Sequence, residues 1–473
     1  FVLATVTNVS FTMSEMDITT GNANISGGLI SGAKITSLDI GNANLFAGVG
    51  AALNSQRDGI ITTDAVGLSA STGFKFISVT NPVTGNNYSG LEATGITAAI
   101  AGLPDKISIS LDGGLVAYNK SVSSHKIDWT TATVTNDPDD LLADLDISSD
   151  IDFRIFGTAN LTVGTFIENL AVTIGIEKGQ DDFVLSNGVT SSQSITGVDY
   201  LKFYGAIVNP LLVGYDGTGL ELSDLKIGMI SVQHANSKYT AFKASGSADL
   251  KGLPLIKVSG SAALISNKST DPAGKVLDFV NTSSNVTDDS AANVIIDNYD
   301  GDAATNVSLD LDGDKGDLLH INGYDLVLDL AGFVVISGDL VFEKQSTPRA
   351  FTLDDGTSIT ADVMTFGGSN ISIFGGVNGP ASNSNAIGMN IGDSNFGLVI
   401  AKDGSNKYYG FNASGTATFV GLPGFDSIRF GDIDIDVNQK SSGATSVIDF
   451  SAGIGGGFEI DTGMNSPITV SAS

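Results

Sequence analysis

Apolar and polar residues alternate with a period of two along most of this 473-residue chain, as they do in half-buried β-strands. The run NFGLVIAKDGSNKYYGFNASG predicts a hairpin in which strand 395–402 and strand 407–414 are joined by Asp-Gly-Ser-Asn. Asp-Gly supplies the positive φ that a tight reversal of the backbone requires. The same arrangement recurs at 227–246 and, with a longer turn, at 74–95. The only helical candidate, 137–146, predicts at most one short turn or helix.

These patterns predict an all-β fold of tandem antiparallel hairpin or meander units. Each unit is expected to be sandwich-like or part of a long open sheet, and the units are expected to stack into an elongated rod. The alternative is a β-solenoid. Solenoid coils repeat every 20–30 residues or so, and the chain shows no clear period that short.

An internal repeat is marked by three GLP tripeptides, which begin at Gly102, Gly252 and Gly421. Each follows a tyrosine and an Ala-Ser/Thr-Gly triplet, and each precedes an asparagine near a strand end and an apolar-Asp-aromatic triplet. The tyrosines are Tyr88, Tyr239 and Tyr408; the asparagines are Asn119, Asn267 and Asn438; the aromatic residues are Trp129, Phe279 and Phe450. So many marks in the same order indicate true copies.

A second set of marks covers the other half of the repeat. Glu343-Lys344 matches Glu177-Lys178, with Glu15 as a weaker match. Phenylalanines open FAGVG at Phe46 and FGGVN at Phe374, and YGAIV at 204–208 is the expected middle copy.

The marks divide the chain into four parts. Residues 1–47 are the back half of a copy, 48–204 and 205–375 are complete copies, and 376–473 is a front half. Because this frame opens and closes inside a copy, it predicts covalent continuation into further repeats. The alternative is self-association, in which the incomplete end of one chain completes the next.

Charge and composition restrict the partners. The formal net charge is −29, from 52 acidic and 23 basic residues, so the surface repels nucleic-acid phosphates and anionic membranes. No nucleic-acid partner is expected. No apolar run approaches the roughly 18–20 residues of a membrane-spanning helix. The absence of cysteine excludes disulfides and thiolate metal sites, and in a large acidic β-rich chain it favours an extracellular or cell-surface location.

The candidate chemistry is a cation site in the acidic stretch 297–317. Carboxylates at alternate positions among Asn and Gly are ligands that Ca²⁺ prefers. The proposed ligands are Asp297, Asp300, Asp302, Asp310, Asp312, Asp314 and Asp317, and a second acidic loop lies at 136–140. The EF-hand pattern fails, because Lys315 stands where glycine is required. The alternative is solvated charge that keeps strand edges unpaired.

No catalytic motif is present, and the chain is predicted not to be an enzyme. Its three histidines, His125, His234 and His320, occupy different positions of the repeat, and there is no nucleophile elbow or phosphate loop. A polysaccharide-acting enzyme is the least favoured reading, and the acidic insertion at 286–317 is where it would lie.

The strings YTAFKASGSADLKGLP and YGFNASGTATFVGLP resemble the tandem-repeat regions of giant, acidic, cysteine-free bacterial surface proteins of the adhesin-like type. The resemblance implies export and a structural role in a cell-surface filament or adhesin stalk. The alternative is a module that binds a glycan or another surface. The repeated tyrosines are its only candidate contacts, and packing between strands is the competing role for them.

Overall fold

The computed structural model of the chain describes residues 2–103, 107–134, 142, 145–163, 167–215, 217–253, 255–280, 293–297, 299, 302–422, 429–452, 457–463 and 467–471. The strands of the first half are β1 (Val2–Thr19), β2 (Leu29–Val49), β3 (Ala52–Leu53), β4 (Ile60–Ile61), β5 (Val66–Thr80), β6 (Asn87–Ala101), β7 (Ile107–Ser121), β8 (Thr133–Val134), β9 (Ile151–Val163), β10 (Ile167–Ser186), β11 (Gln193–Ile207), β12 (Leu211–Tyr215) and β13 (Thr218–His234).

The strands of the second half are β14 (Ser237–Lys251), β15 (Ile256–Ser269), β16 (Val276–Asp278), β17 (Val294–Ile296), β18 (Val307–Leu309), β19 (Leu318–Leu330), β20 (Val334–Thr352), β21 (Ser358–Val377), β22 (Ile387–Asp403), β23 (Asn406–Val420), β24 (Arg429–Lys440), β25 (Phe458–Ile460) and β26 (Ile468–Val470). The described residues contain no α-helix. They contain four short 3-10 turns, at Ser26–Gly28, Ala303–Thr305, Gly313–Lys315 and Phe450–Ala452.

Twenty strands form one antiparallel sheet. The seventeen long ones follow each other as a meander, from β1 and β2 through β5, β6, β7, β9, β10, β11, β13, β14, β15, β19, β20, β21, β22 and β23 to β24. The all-β class and the long open sheet are therefore confirmed. A β-solenoid is excluded, because its coils would require parallel pairing between successive turns. At about 4.8 Å per strand, the sheet is about 80 Å wide.

The repeat is visible in the strand register. Tyr88, Tyr239 and Tyr408 lie on β6, β14 and β23, and each pairs with a small or β-branched residue of the strand before it. One copy therefore spans six long strands. The predicted boundaries at 47/48, 204/205 and 375/376 fall inside β2, β11 and β21, so successive copies share an unbroken sheet.

Two of the weaker sequence matches are wrong. Paired residues can be followed strand by strand from the repeated tyrosine of each copy. In this alignment, the position of Glu177 and Glu343 corresponds in the first copy to Thr12 and not to Glu15. The reason is that the β1–β2 connection, residues 20–28, is longer than the β20–β21 connection, residues 353–357, so the paired Thr12 and Ser37 are farther apart in sequence than the paired Glu343 and Thr365. Tyr204 also fails as the middle counterpart of Phe46 and Phe374, because it lies in a main core cluster whereas both phenylalanines lie in small separate clusters.

Most neighbouring strands shift register once near their middle, at β-bulges that increase the local twist. The Ala-Ser/Thr-Gly marks lie on this line of bulges. At Gly246, an added Cβ would lie 2.3 Å from Cδ2 of Leu225, the extra residue of the facing strand. The glycine is therefore required by close approach across the sheet.

One face of the sheet carries three covering segments, which we call caps. The caps are the described residues within 122–150 (cap A), 270–317 (cap B) and 441–471 (cap C), and each follows the third long strand of its copy. Each cap contributes apolar residues to a core cluster that also contains the repeated tyrosine. The sheet face beneath the caps is called the capped face.

The opposite face, called the open face, is covered by no described segment. Its residues align across the strands into apolar rows. One row runs over ten strands through Val9, Ile40, Phe74, Ala93, Val116, Ile155, Ile176, Phe203, Met229 and Phe242. A second row continues to the last strand through Ile227, Ala244, Leu264, Ile321, Phe342, Phe366, Leu398, Phe411 and Val437.

Candidate functional site

The caps are fastened by the same hydrogen bond in all three copies. The side-chain amides of Asn119, Asn267 and Asn438 donate to the main-chain carbonyls of Ile127, Leu277 and Ile448, at 2.8, 2.6 and 2.7 Å. These pairs link two of the marks found in the sequence, the strand-end asparagine and the apolar-Asp-aromatic triplet. Both marks therefore serve to attach the cap to the sheet.

The aromatic residue of the triplet packs against a glycine of the sheet in caps A and C. An added Cβ at Gly90 would lie 2.8 Å from the Trp129 indole, and one at Gly410 would lie 2.6 Å from the Phe450 ring. In cap B the equivalent ring is Phe279, which shares its cluster with Ala241. All three rings are buried, so a role for Trp129 as an exposed sugar-binding platform is excluded.

Trp129 differs from its counterparts in having a polar atom. Its indole Nε1 donates to Oδ1 of Asn119 at 3.0 Å. Phenylalanine cannot make this bond, and Oδ1 of Asn267 is buried without a hydrogen-bond partner among the described residues.

The strongest electrostatic cluster surrounds Glu177, on β10 beneath cap B. Its carboxylate is 5% exposed and accepts from Arg154 Nε at 3.0 Å and from the Tyr200 hydroxyl at 2.8 Å. The Tyr299 hydroxyl also donates to it, and Lys202 Nζ lies 3.4 Å away. Glu177 therefore joins three strands of the sheet to one residue of the cap.

These contacts set the ionisation of the cluster. Burial alone would raise the pKa of Glu177, but the charges of Lys202 and Arg154 and the donated hydroxyls hold it below its usual range. Burial, and then the negative charge of Glu177, raises the pKa of Tyr200 and of Tyr299. Glu177 is therefore ionised, and both phenols are neutral donors, at neutral pH.

The next copy has a smaller version of this cluster. Glu343 on β20 accepts from Lys315 Nζ of cap B at 2.7 Å, and its Oε2 lies 2.9 Å from Nδ1 of His320 on β19. Burial opposes ionisation, but the His320 hydrogen bond and the Lys315 charge lower the pKa of Glu343 to about 2. The two clusters occupy the same register position and tie neighbouring strands and the cap together.

Sequence reasoning missed the basic partners of these glutamates, although a signal existed. Arg154 precedes Glu177 by 23 residues, and His320 precedes Glu343 by the same number. A basic residue at a constant distance before each Glu-Lys mark would have predicted a cross-strand pair.

The proposed calcium ligands that the structure describes, all except Asp300, are dispersed over cap B. Asp302 and Asp312 accept from the main-chain amides of Ala304 and Asp314, each at 2.9 Å, and so cap short 3-10 turns. Asp297 accepts from the amide of Tyr299 in the same way.

The other candidate ligands have separate partners. Asp310 pairs with Lys243 at 2.8 Å, Asp314 accepts from the Ser186 hydroxyl, and Asp317 accepts from the amide of Ser269. Asp300 and the second acidic loop, 136–140, lie outside the described residues.

The described part of the chain brings no three His, Asp or Glu side chains together in a group suited to a metal ion. The calcium site stays a prediction. Calorimetric titration of the chain with CaCl₂ tests it directly.

The three repeated tyrosines are 2–3% exposed, which places them in the cores and not on a binding surface.

No helix among the described residues combines the length and apolar character needed to cross a membrane. No family model matches the chain, and neither the curated proteins nor the solved structures contain a significant match to it.

Proposed function

We propose that the protein is a structural component of an extracellular filament or adhesin stalk at the cell surface, with no catalytic activity. One observation carries the proposal: successive copies share a single continuous sheet, and the three repeated cap segments close its capped face at equivalent positions. Such a design adds length without a new domain boundary, because every added copy simply extends the meander.

The energetics favour a stiff spacer. Adjacent copies are joined by ladders of main-chain hydrogen bonds from β11 to β13 and from β21 to β22, and these ladders oppose hinge motion between the copies. The net charge of −29 opposes lateral clumping of such a filament.

The test is a chain lengthened by one further copy of residues 205–375, inserted after position 375. Six added strands should lengthen the particle by about 29 Å in one dimension only, measured by small-angle scattering and negative-stain microscopy. Growth in all dimensions would contradict the rod. Immunogold labelling of intact source cells tests the location separately, and label confined to the cytoplasm would refute the surface assignment.

A further inference from the structure

The open face exposes more apolar surface than a monomer of this kind usually leaves in water. In the rows near its centre, Ile155, Leu201, Ile227, Leu264, Ile321 and Phe366 are each between 36% and 46% exposed. Side chains of this size have a total surface near 180 Å², so each leaves about 70 Å² accessible. Comparable residues line the other half of the same face, including Leu45, Leu220 and Ile336.

About eighteen such side chains give an apolar area of roughly 1,200 Å², whereas the largest patch on a typical monomer is about 300–600 Å². Charged residues that pair with one another on these strands lie on the other side, whereas Lys178 and Lys344 lie on the open face, one row outside the apolar rows. Arg154, Glu177 and Lys202 alternate along one row of the capped face, and Asp39 and Lys75 are opposite each other in the same row. The two apolar rows of the open face, from Val9 to Phe242 and from Ile227 to Val437, therefore contain no charged residue.

We propose that the open face packs against the open face of a second copy of this chain, forming a two-layer sandwich with an apolar interior. The size of the open face favours a second copy of the chain as the molecule that covers it. A sheet about 80 Å wide is covered by another sheet of the same width, whereas a peptide or a single helix would leave most of it in water. The area exceeds the roughly 800 Å² per partner that a stable dimer needs.

Self-complementarity supports the same choice. A two-fold axis brings identical surfaces together, and these surfaces interdigitate when both are apolar and regularly corrugated. The row from Val9 to Phe242 contains no charged residue, so apposition there buries no unpaired charge. The acidic side chains of the capped face point away from the partner, which limits repulsion between two chains of net charge −29.

The first experiment is sedimentation velocity of the full chain between 1 and 100 µM, with Ile321→Glu as the test variant. Wild type should be dimeric, and the variant should weaken dimerisation by about 100-fold or more, because two carboxylates would be buried unpaired. Val189→Glu is the control, since Val189 is 68% exposed in the turn between β10 and β11, off the open face. The control should dimerise like wild type.

A second measurement does not depend on a disruptive substitution. The chain has no cysteine, so Ile321→Cys introduces a single thiol on the open face, and Val189→Cys introduces one elsewhere. Thiol labelling at position 321 should slow as protein concentration rises, whereas labelling at 189 should not. A wild-type monomer at 100 µM would overturn the proposal. So would a dimer that persists in Ile321→Glu, because strand edges would then hold it.

Discussion

Replacing Trp129 by phenylalanine isolates the one polar contact that distinguishes cap A from the other caps. The substitution removes the indole Nε1 that donates to Oδ1 of Asn119. The Asn119 side chain is 2% exposed, so its Oδ1 becomes a buried acceptor without a donor. A buried acceptor left unpaired costs about 1–3 kcal/mol. The smaller ring adds about 1 kcal/mol for the space it vacates. We expect cap A to lose about 2–4 kcal/mol of local stability.

Native-state amide exchange measures this loss where it occurs. The amides of Asp128 and Trp129 donate to the carbonyls of Thr20 and Ile147 at 3.0 and 2.9 Å, so their exchange reports opening of cap A. A loss of 2–4 kcal/mol accelerates exchange by about 30- to 1,000-fold. Amides of caps B and C in the same molecule are the internal control and should not change. Unchanged exchange at Asp128 and position 129 would refute the reasoning.

The reverse exchange in cap B is the matched test. Phe279→Trp brings an indole toward Oδ1 of Asn267, which has no hydrogen-bond partner in the described part of cap B or the sheet, but the methyl group of Ala241 stands where cap A has Gly90. The single substitution should therefore destabilise cap B. The double variant Phe279→Trp with Ala241→Gly should recover that loss and slow exchange below the wild-type rate. Equal stability of single and double variants would show that the small residue is not required by the ring.

Three further predictions concern the clusters and the glycines. Because the pKa of Glu343 is about 2 against 4.5 in the unfolded chain, its contribution is complete above pH 4.5 and disappears as pH falls to 2. This contribution is about 3 kcal/mol, and urea midpoints measured from pH 7 to pH 2 should show that Glu343→Gln lacks that part of the acid dependence. Glu177→Gln should cost about 3–5 kcal/mol in urea unfolding, since it leaves the half-buried guanidinium of Arg154 beside a neutral amide; a loss below 1 kcal/mol would contradict a stabilising charge cluster around the buried Glu177. Gly410→Val should destabilise cap C by more than 2 kcal/mol in exchange experiments, although valine favours strands, because its Cβ would overlap Phe450; a stabilised protein would contradict this geometry.

The sequence was most informative where residues near each other in the chain interact. The hairpin predicted at 395–414 is present as β22 and β23, because alternation and an Asp-Gly turn act over a few residues. The repeat marks were also readable, since equivalent caps require equivalent asparagines. The marks alone did not reveal that Asn119 and Ile127 bond to each other, because that contact exists only after the cap folds back onto the sheet.

Spacing along the sequence gave a wrong equivalence between copies where the connections between strands differ in length. Glu15 lies at the same spacing from Phe46 as Glu343 from Phe374, yet Thr12 holds the equivalent position, because the β1–β2 connection is longer than the β20–β21 connection. The calcium hypothesis also relied on closeness in the sequence. Asp302 and Asp312 are close in sequence, but each carboxylate accepts from its own local turn.

The sequence by itself determined the β class, the meander and the existence of copies, since period-two alternation, turn chemistry and self-similarity are properties of the linear chain. Only the tertiary structure decided which side of each strand is covered. The alternation of apolar and polar residues indicates that the two faces of the sheet differ, but it does not predict which face the caps cover. The caps cover the face on which Glu177 and Glu343 find cross-strand and cap partners, because ionised side chains are buried only where such partners are available. That choice leaves the apolar rows of the other face in the open.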